Sequence, residues 1–503
     1  MEPLSEVLNS LLEAFALLTA TPLVVFAFAG VAWGIMGGAL PGISPSIAMA
    51  LLLPFTYGMD PTSAIVLLAA VYVGAEYGGS IPAILINTPG TNAAAATVLD
   101  GHAMYKQGRG AEALGISLYS GVIGSLFGLV MLVTLTEPLS RLALAFTPMS
   151  YFALGILGLS IIASLSGDSV LKGLAAGVLG LMLASVGSDP ISGLPRFTFG
   201  RPELLDGITP MLVMIGLFAV SELLHQSSTG AWQRTSAIRL RFPARALRKR
   251  LFKSQLIGGA IGTFEGVMPG AGGTVASFLS YNEARRWSSN KQEFGQGSPE
   301  GVAAPETANN TVAATALVPV LSFGIPGSNS AAILLGGLLI HGLVPGPRLF
   351  EENGALITAL YTGLFVASAS LLILGIAILP ACLWFVNRSK GYLMAFIYAL
   401  IFSGVYSINY SLFDLGLVLA TGFVGLLMRM VGLPLLPTVL GVVLGFLVES
   451  NYRRALVLSG GDHSVFAEDR IALALLALAG AFIVGSLGTR AWRFAHELKA
   501  ARA

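Results

Sequence analysis

Apolar runs of membrane-spanning length alternate with short turns rich in glycine and proline along nearly the whole chain. The first run, Pro22 to Leu40, stops at Leu40-Pro41-Gly42-Ile43-Ser44-Pro45. Ser46 to Pro54 resumes it, Gly58-Met59-Asp60-Pro61 turns the chain, and residues 62–77 predict a helix carrying Glu76 at its end. Long apolar segments follow at 111–135, 148–165, 169–187 and 207–225, then at 354–380, 381–405, 411–431, 434–448 and 470–488. The polar stretch 188–206 reads as a loop outside the bilayer. At about 20 residues per span, the pattern predicts an all-α polytopic membrane protein with roughly ten to fourteen membrane segments. Ahead of it, Leu4, Leu8, Leu11, Phe15 and Leu18 form one stripe opposite Glu6, Asn9 and Glu13. Residues 1–20 therefore predict an amphipathic helix lying at the interface. That segment lacks the basic start of a cleavable signal.

Two apolar stretches are broken in the same way. Ser80 to Ala96 is interrupted at Asn87-Thr88-Pro89-Gly90-Thr91, and Ile325 to Ala332 carries Pro326-Gly327-Ser328-Asn329. Proline removes a backbone donor and glycine permits a sharp reversal. Thr91 with Asn92, and Ser328 with Asn329, can then cap the helix that follows. In lipid such breaks survive only where protein or a water-filled cavity satisfies the freed backbone groups. A matched pair in corresponding positions is the best sequence pointer to a transporter's midplane site.

Other landmarks recur in the same order. Pro269-Gly270-Ala271-Gly272-Gly273-Thr274 repeats Pro41 onward at an offset of 228 (269 − 41). Glu306 in PETANN pairs with Glu76 at 230 (306 − 76), and the second tip follows the first at 237 (326 − 89). The growing offset is placed in the longer polar connection 281–304. The chain thus predicts a first repeat over 21–230, a basic linker over 231–253, a second repeat over 254–488 and a tail over 489–503, with broken helices and re-entrant hairpins in both halves.

Charge sets the orientation. The linker holds Arg234, Arg239, Arg241, Arg245, Arg248, Lys249, Arg250 and Lys253 and no acidic residue, whereas residues 1–105 hold no Lys or Arg. Basic loops stay cytoplasmic, so the N-terminus is expected outside and the two repeats inverted. The tail, with Arg490, Arg493, Lys499 and Arg502, also reads as cytoplasmic. Composition agrees: 55% of the 503 residues are hydrophobic and only 11% charged, against about 25% charged in soluble domains. The net charge of +2 and the lack of a sustained aromatic-basic pattern give no reason to expect a nucleic-acid partner. The single cysteine, Cys382, excludes an intrachain disulfide, and no CxxC, HExxH or phosphate-loop motif points to a metal, cofactor or nucleotide.

The candidate site follows from what the landmark regions lack. Lys and Arg are absent from 1–105 and 292–347. An anion there is expected to be held by unpaired amides and helix N-termini at the two tips. Hydroxyls of Ser44, Thr91, Thr274 and Ser328 add donors. The substrate-binding set is Pro41, Gly42, Ser44, Asn87, Thr88, Pro89, Gly90, Thr91, Asn92, Gly270, Gly272, Gly273, Thr274, Pro326, Gly327, Ser328 and Asn329. Glu76 and Glu306, with Asn309 and Asn310, are the ion-coupling candidates, because carboxylates in apolar segments are costly and usually functional. Plainer readings stand beside these: the glycines and prolines kink and pack helices, and Glu306 is a hydrogen-bonded structural carboxylate. Asp414 and Arg429, near opposite ends of one helix, read as interfacial, and His341 as a loop residue.

At these residues the chain resembles the large membrane subunit of the tripartite tricarboxylate transporters. The likeness rests on LPGISPSIAMALLLPF (40–55), EYGGSIPAILINTPGT (76–91), TVLDGHAMYKQGRGAEALG (97–115), MPGAGGTVASFLSY (268–281), GVAAPETANNTVAATALVPVLSFGIPGS (301–328) and HGLVPGPRLF (341–350). The resemblance implies a secondary transporter of the bacterial inner membrane that works with a small membrane subunit of about four helices. It also implies a periplasmic solute-binding protein that delivers a carboxylate substrate, and uptake coupled to Na⁺ or H⁺. A channel would share the broken helices but not need an inverted duplication. A membrane-embedded enzyme would need a nucleophile and base, and neither a GxSxG motif nor a histidine pair occurs.

Overall fold

The computed structural model of the chain describes residues 22–40, 43–165, 169–189, 193–227, 240–268, 272–386 and 390–500. The interfacial helix expected over 1–20, the first part of the linker, and Pro41, Gly42 and Gly270 lie outside them. Helices dominate, and the strand content is one pair, Gly187–Ser188 with Pro195–Arg196, among the described residues. Among the described residues, five helices are long and apolar enough to cross a membrane, and eight shorter apolar helices accompany them.

In the first half, α1 (Leu23–Ala39), α2 (Pro45–Thr56), α3 (Pro61–Gly78), α4 (Ser80–Ile86), α5 (Ala95–Lys106) and α6 (Gly110–Ala143) run in sequence. α7 (Pro148–Leu165) and α8 (Val170–Ala184) follow. α9 (Pro210–Met214) then continues through a π-helical segment, Ile215–Val220, into α10 (Ser221–Ser227). The second half has α11 (Arg245–Val267), α12 (Gly272–Trp287), α13 (Pro299–Thr315), α14 (Leu317–Phe323), α15 (Asn329–Ile340), α16 (Pro347–Glu352) and α17 (Gly354–Ala377). α18 (Leu379–Val386), α19 (Lys390–Asn409), α20 (Leu412–Met430), α21 (Leu435–Leu458), α22 (Val465–Glu468) and α23 (Arg470–Ala500) complete it.

Capping chemistry starts several of these helices. Ser44 accepts from Ile47 N at 3.3 Å, Asp60 from Ser63 N at 3.0 Å and Ser298 from Gly301 N at 3.3 Å. Each is followed by proline at the first helical position, where the missing N–H costs nothing.

Small residues then bring the helices into backbone contact. A methyl on Gly30, Gly34 or Gly38 of α1 would fall 2.6, 2.3 or 2.2 Å from the carbonyl oxygen of Leu67, Val71 or Ala75 on α3. On α11, Gly258 and Gly262 would meet Ala304 O and Ala308 O of α13, each at 2.5 Å. Every residue of α13 is buried, polar ones included. Its hydroxyls reach the backbone of α6, with Thr307 donating to Ser120 O (3.3 Å) and Thr311 to Gly124 O (3.1 Å).

The α3 and α13 contacts correspond at an offset of 237 (304 − 67 and 308 − 71). At that offset Glu76 falls on Ala313 and Glu306 on Ala69, so the two carboxylates are not equivalent positions. The landmark pairing at 230 is therefore displaced by two helical turns. Sequence spacing missed this because both glutamates precede an apolar run.

The breaks also correspond at 237. α4 ends on Asn87 at φ 58°, and α14 on Gly324 at φ 71°. Thr88 N donates to Pro82 O (3.4 Å), as Ile325 N does to Pro319 O (3.2 Å). The left-handed residues are thus Asn87 and Gly324; neither Gly90 nor Gly327 has positive φ. What those two glycines permit is close approach. A methyl on Gly90 would lie 2.1 Å from Gly38 O and 2.8 Å from Gly79 Cα, while one on Gly327 would lie 2.9 Å from Gly266 O. Gly90→Ala is expected to destabilise the purified protein by about 1–3 kcal/mol, the usual cost of overpacking, and Gly327→Ala by less. Thermal unfolding in detergent checks the order, and an equal or larger loss at Gly327 would contradict the packing account.

Candidate functional site

The first tip is fixed from both sides. Gly90 N donates to Gly79 O (3.0 Å), and Thr91 Oγ1 accepts from Ala94 N (3.3 Å), one residue before α5 begins. At the second tip Ser328 caps α15 by accepting from Ala331 N (3.1 Å). Its hydroxyl also lies 3.0 Å from the Tyr72 hydroxyl on α3, a contact between the two halves of the chain.

These tips line one cavity of about 610 Å³, within the range of small-molecule sites. Ser44, Pro89, Gly90, Thr91, Asn92, Gly272, Gly273, Thr274, Ser328 and Asn329 all border it. Asn87 and Thr88 are exposed outside its lining, and Pro326 and Gly327 are buried behind it. The N-termini of α5 and α15, together with that of α2 at Ser44, therefore open toward the same space. Helix N-termini favour negative charge there.

The ion-coupling candidates separate into two groups. Glu76 is buried and borders the cavity. The Asn309 side chain lies beside it, and Glu76 Oε2 and both amide atoms of Asn309 have no hydrogen-bond partner among the described residues. Glu306 instead sits in packed interior: Thr97 donates to Oε1, and Ser117 to Oε2 at 2.9 Å. Asn310 is likewise engaged, donating to Glu306 O (3.1 Å) and accepting from Ser125 Oγ (3.4 Å). Neither borders the cavity.

One expectation fails. The site was expected to lack basic side chains. Instead Arg429, at the end of α20, borders the cavity and pairs with Glu222 of α10 at 2.6 Å. The cause is tertiary: α20 packs so closely on the π-helical segment that a methyl on Gly216 would fall 1.9 Å from Thr421 Oγ1. Sequence reasoning also passed over Tyr72, Ser46, Ser330 and Glu222. The usable signal was Arg429 itself, a charge within an apolar segment.

Against this geometry, the family model described as Tripartite tricarboxylate transporter TctA family matches residues 24–440. The chain belongs to that family. A relative in Agrobacterium vitis, described as the uncharacterized 52.8 kDa protein in TAR-I ttuC′ 3′region, is 36% identical over 468 residues, covering 92% of this chain and 93% of its own. A second from the same organism, described as an uncharacterized protein in TAR-II ttuC′ 3′region, is 38% identical over 219 residues, 43% of this chain and 90% of its own. No solved structure matches. As a TctA-family chain with many apolar helices, this is a multi-pass membrane protein and a subunit of a tripartite transporter.

The Tyr72–Ser328 contact gives a direct check on the geometry. Ser328→Ala is expected to cost about 0.5–2 kcal/mol as a lost cap. In a double-mutant cycle with Tyr72→Phe, about 0.5–1.5 kcal/mol of coupling is expected, the net worth of one hydrogen bond. Strictly additive unfolding energies would contradict the pairing.

Proposed function

We propose that the 610 Å³ cavity is the substrate site of a secondary carboxylate importer of the bacterial inner membrane. The substrate is a tricarboxylate or a related di- or monocarboxylate. A periplasmic solute-binding protein delivers it, and a small membrane subunit of about four helices completes the assembly. The observation that carries this reading is the convergence of both broken-helix tips on one cavity beside the buried Glu76, whose Oε2 has no hydrogen-bond partner among the described residues.

Amides and hydroxyls at Thr91, Ser328 and Ser44 offer donors to carboxylate oxygens, and the aligned helix dipoles add positive potential. The halves act as inverted repeats, whose rocking about the shared site exposes it alternately to either side. Glu76 is the coupling residue. An ionised carboxylate with an unpartnered oxygen is expensive in such surroundings. A Na⁺ held by its oxygens and Asn309 Oδ1, or a proton taken by Glu76, removes that cost and offsets an incoming anion. The packed environment of Glu306 gives it a structural role instead.

Uptake of labelled citrate, tartrate, succinate and acetate into proteoliposomes holding both membrane subunits, with the binding protein added, tests the proposal. Saturable accumulation that stops when both the Na⁺ and H⁺ gradients are collapsed is expected. Glu76→Gln should lose accumulation but keep exchange across the membrane. Accumulation unchanged without either gradient, or linear flux without saturation, would refute a coupled carrier.

A further inference from the structure

The Arg429–Glu222 pair is placed as a competitor for substrate would be. Among the described lining residues Arg429 is the one cation, against two carboxylates, Glu76 and Glu222. Its side chain is 28% exposed and that of Glu222 15%, so the pair sits at the cavity wall and neither deep in the packing nor in open solvent. Arg429 Nη1 reaches Glu222 Oε2 at 2.6 Å, and Nε donates to Ser221 Oγ at 3.1 Å. A guanidinium carries five donors in a planar fork suited to two carboxylate oxygens. Among the described residues, the contacts above engage Nη1 and Nε.

The mounting of the pair is also unusual. Glu222 lies two residues beyond the six-residue π-helical segment Ile215–Val220, a geometry rare in proteins and frequent at functional sites. Glycines 216, 422 and 425 let α20 close on that segment, which fixes Arg429 opposite Glu222. Leu433 to Leu436, just beyond Arg429, continue the wall.

We propose that Arg429 is the cavity's carboxylate-reading residue, held by Glu222 when the cavity is empty and transferred to a substrate carboxylate on binding. This deepens the carboxylate-importer reading and rests on it. The two helix tips then supply neutral donors to one end of the substrate, and Arg429 supplies a full charge to another. Glu222 acts as an internal competitor that must be displaced. Anions lacking a planar carboxylate gain less from the fork, so the exchange also selects among substrates.

A purely structural pin between α10 and α20 predicts that removing either partner harms binding alike. The exchange predicts opposite signs. Purified protein in nanodiscs is assayed for direct binding of labelled citrate, tartrate, succinate and acetate. For whichever of these the wild type binds, Arg429→Gln should weaken affinity about thirtyfold, the scale of a charge-assisted contact. Glu222→Gln should tighten it several-fold, and Arg429→Lys should fall between wild type and Arg429→Gln. The double variant Glu222→Gln/Arg429→Gln leaves no lone charge, so it keeps the fold if a single variant does not, and it should bind as weakly as Arg429→Gln. Equal weakening in Glu222→Gln and Arg429→Gln, or affinity within twofold of wild type in Arg429→Gln or in the double variant, overturns the exchange while leaving the importer reading standing. A wild type that binds none of the four anions overturns both.

Discussion

Everything in this fold answers to one constraint: a helix broken where water is scarce leaves backbone groups that must find partners. At the first break the freed groups are met by Gly79 O and the Thr91 hydroxyl, at the second by Pro319 O and the Ser328 hydroxyl. Such partners are reached only if the backbone comes very close, and that is why glycines stand at 38, 79 and 90 and at 266 and 327. The amides nearest the cavity are the donors that the proposed anion site uses. Packing and function thus draw on the same breaks.

The charges follow a second logic. Removing one member of a buried ion pair strands its partner, at a cost of about 3–5 kcal/mol. Nearly every charge in the interior is accordingly engaged. Asp100 accepts from the amides of Gly295, Gly297 and Ser298, each at 2.8 Å, and Arg196 and Arg453 share Asp189 and Glu449. Asp100 and Glu76 each leave one carboxylate oxygen without a partner among the described residues, and of the two Glu76 is the one that borders the cavity.

Much of this was legible in the sequence. The expected segments at 22–40, 148–165 and 354–380 became Leu23–Ala39, Pro148–Leu165 and Gly354–Ala377, because apolar length and flanking Pro or Gly determine spans directly. Ser328 caps α15 as its position before Asn329 implied. The registers were harder. Glu306 and Glu76 looked equivalent because each precedes an apolar run, and only the glycine contacts between neighbouring helices reveal the two-turn displacement. Arg429 was hidden for a different reason: it lies more than two hundred residues from Glu222, and only the packing of α20 on the π-helical segment brings the two together. Local chemistry was readable and tertiary register was not.

The central claim is that both tips serve one bound carboxylate, and substrate protection tests it most directly. In a Cys382→Ala background, cysteines introduced together at 91 and 328 should be bridged by a short bifunctional thiol reagent. A transported carboxylate should slow modification of both with the same concentration dependence. Protection of only one position, or bridging that proceeds equally fast with the cavity saturated, would contradict a shared site.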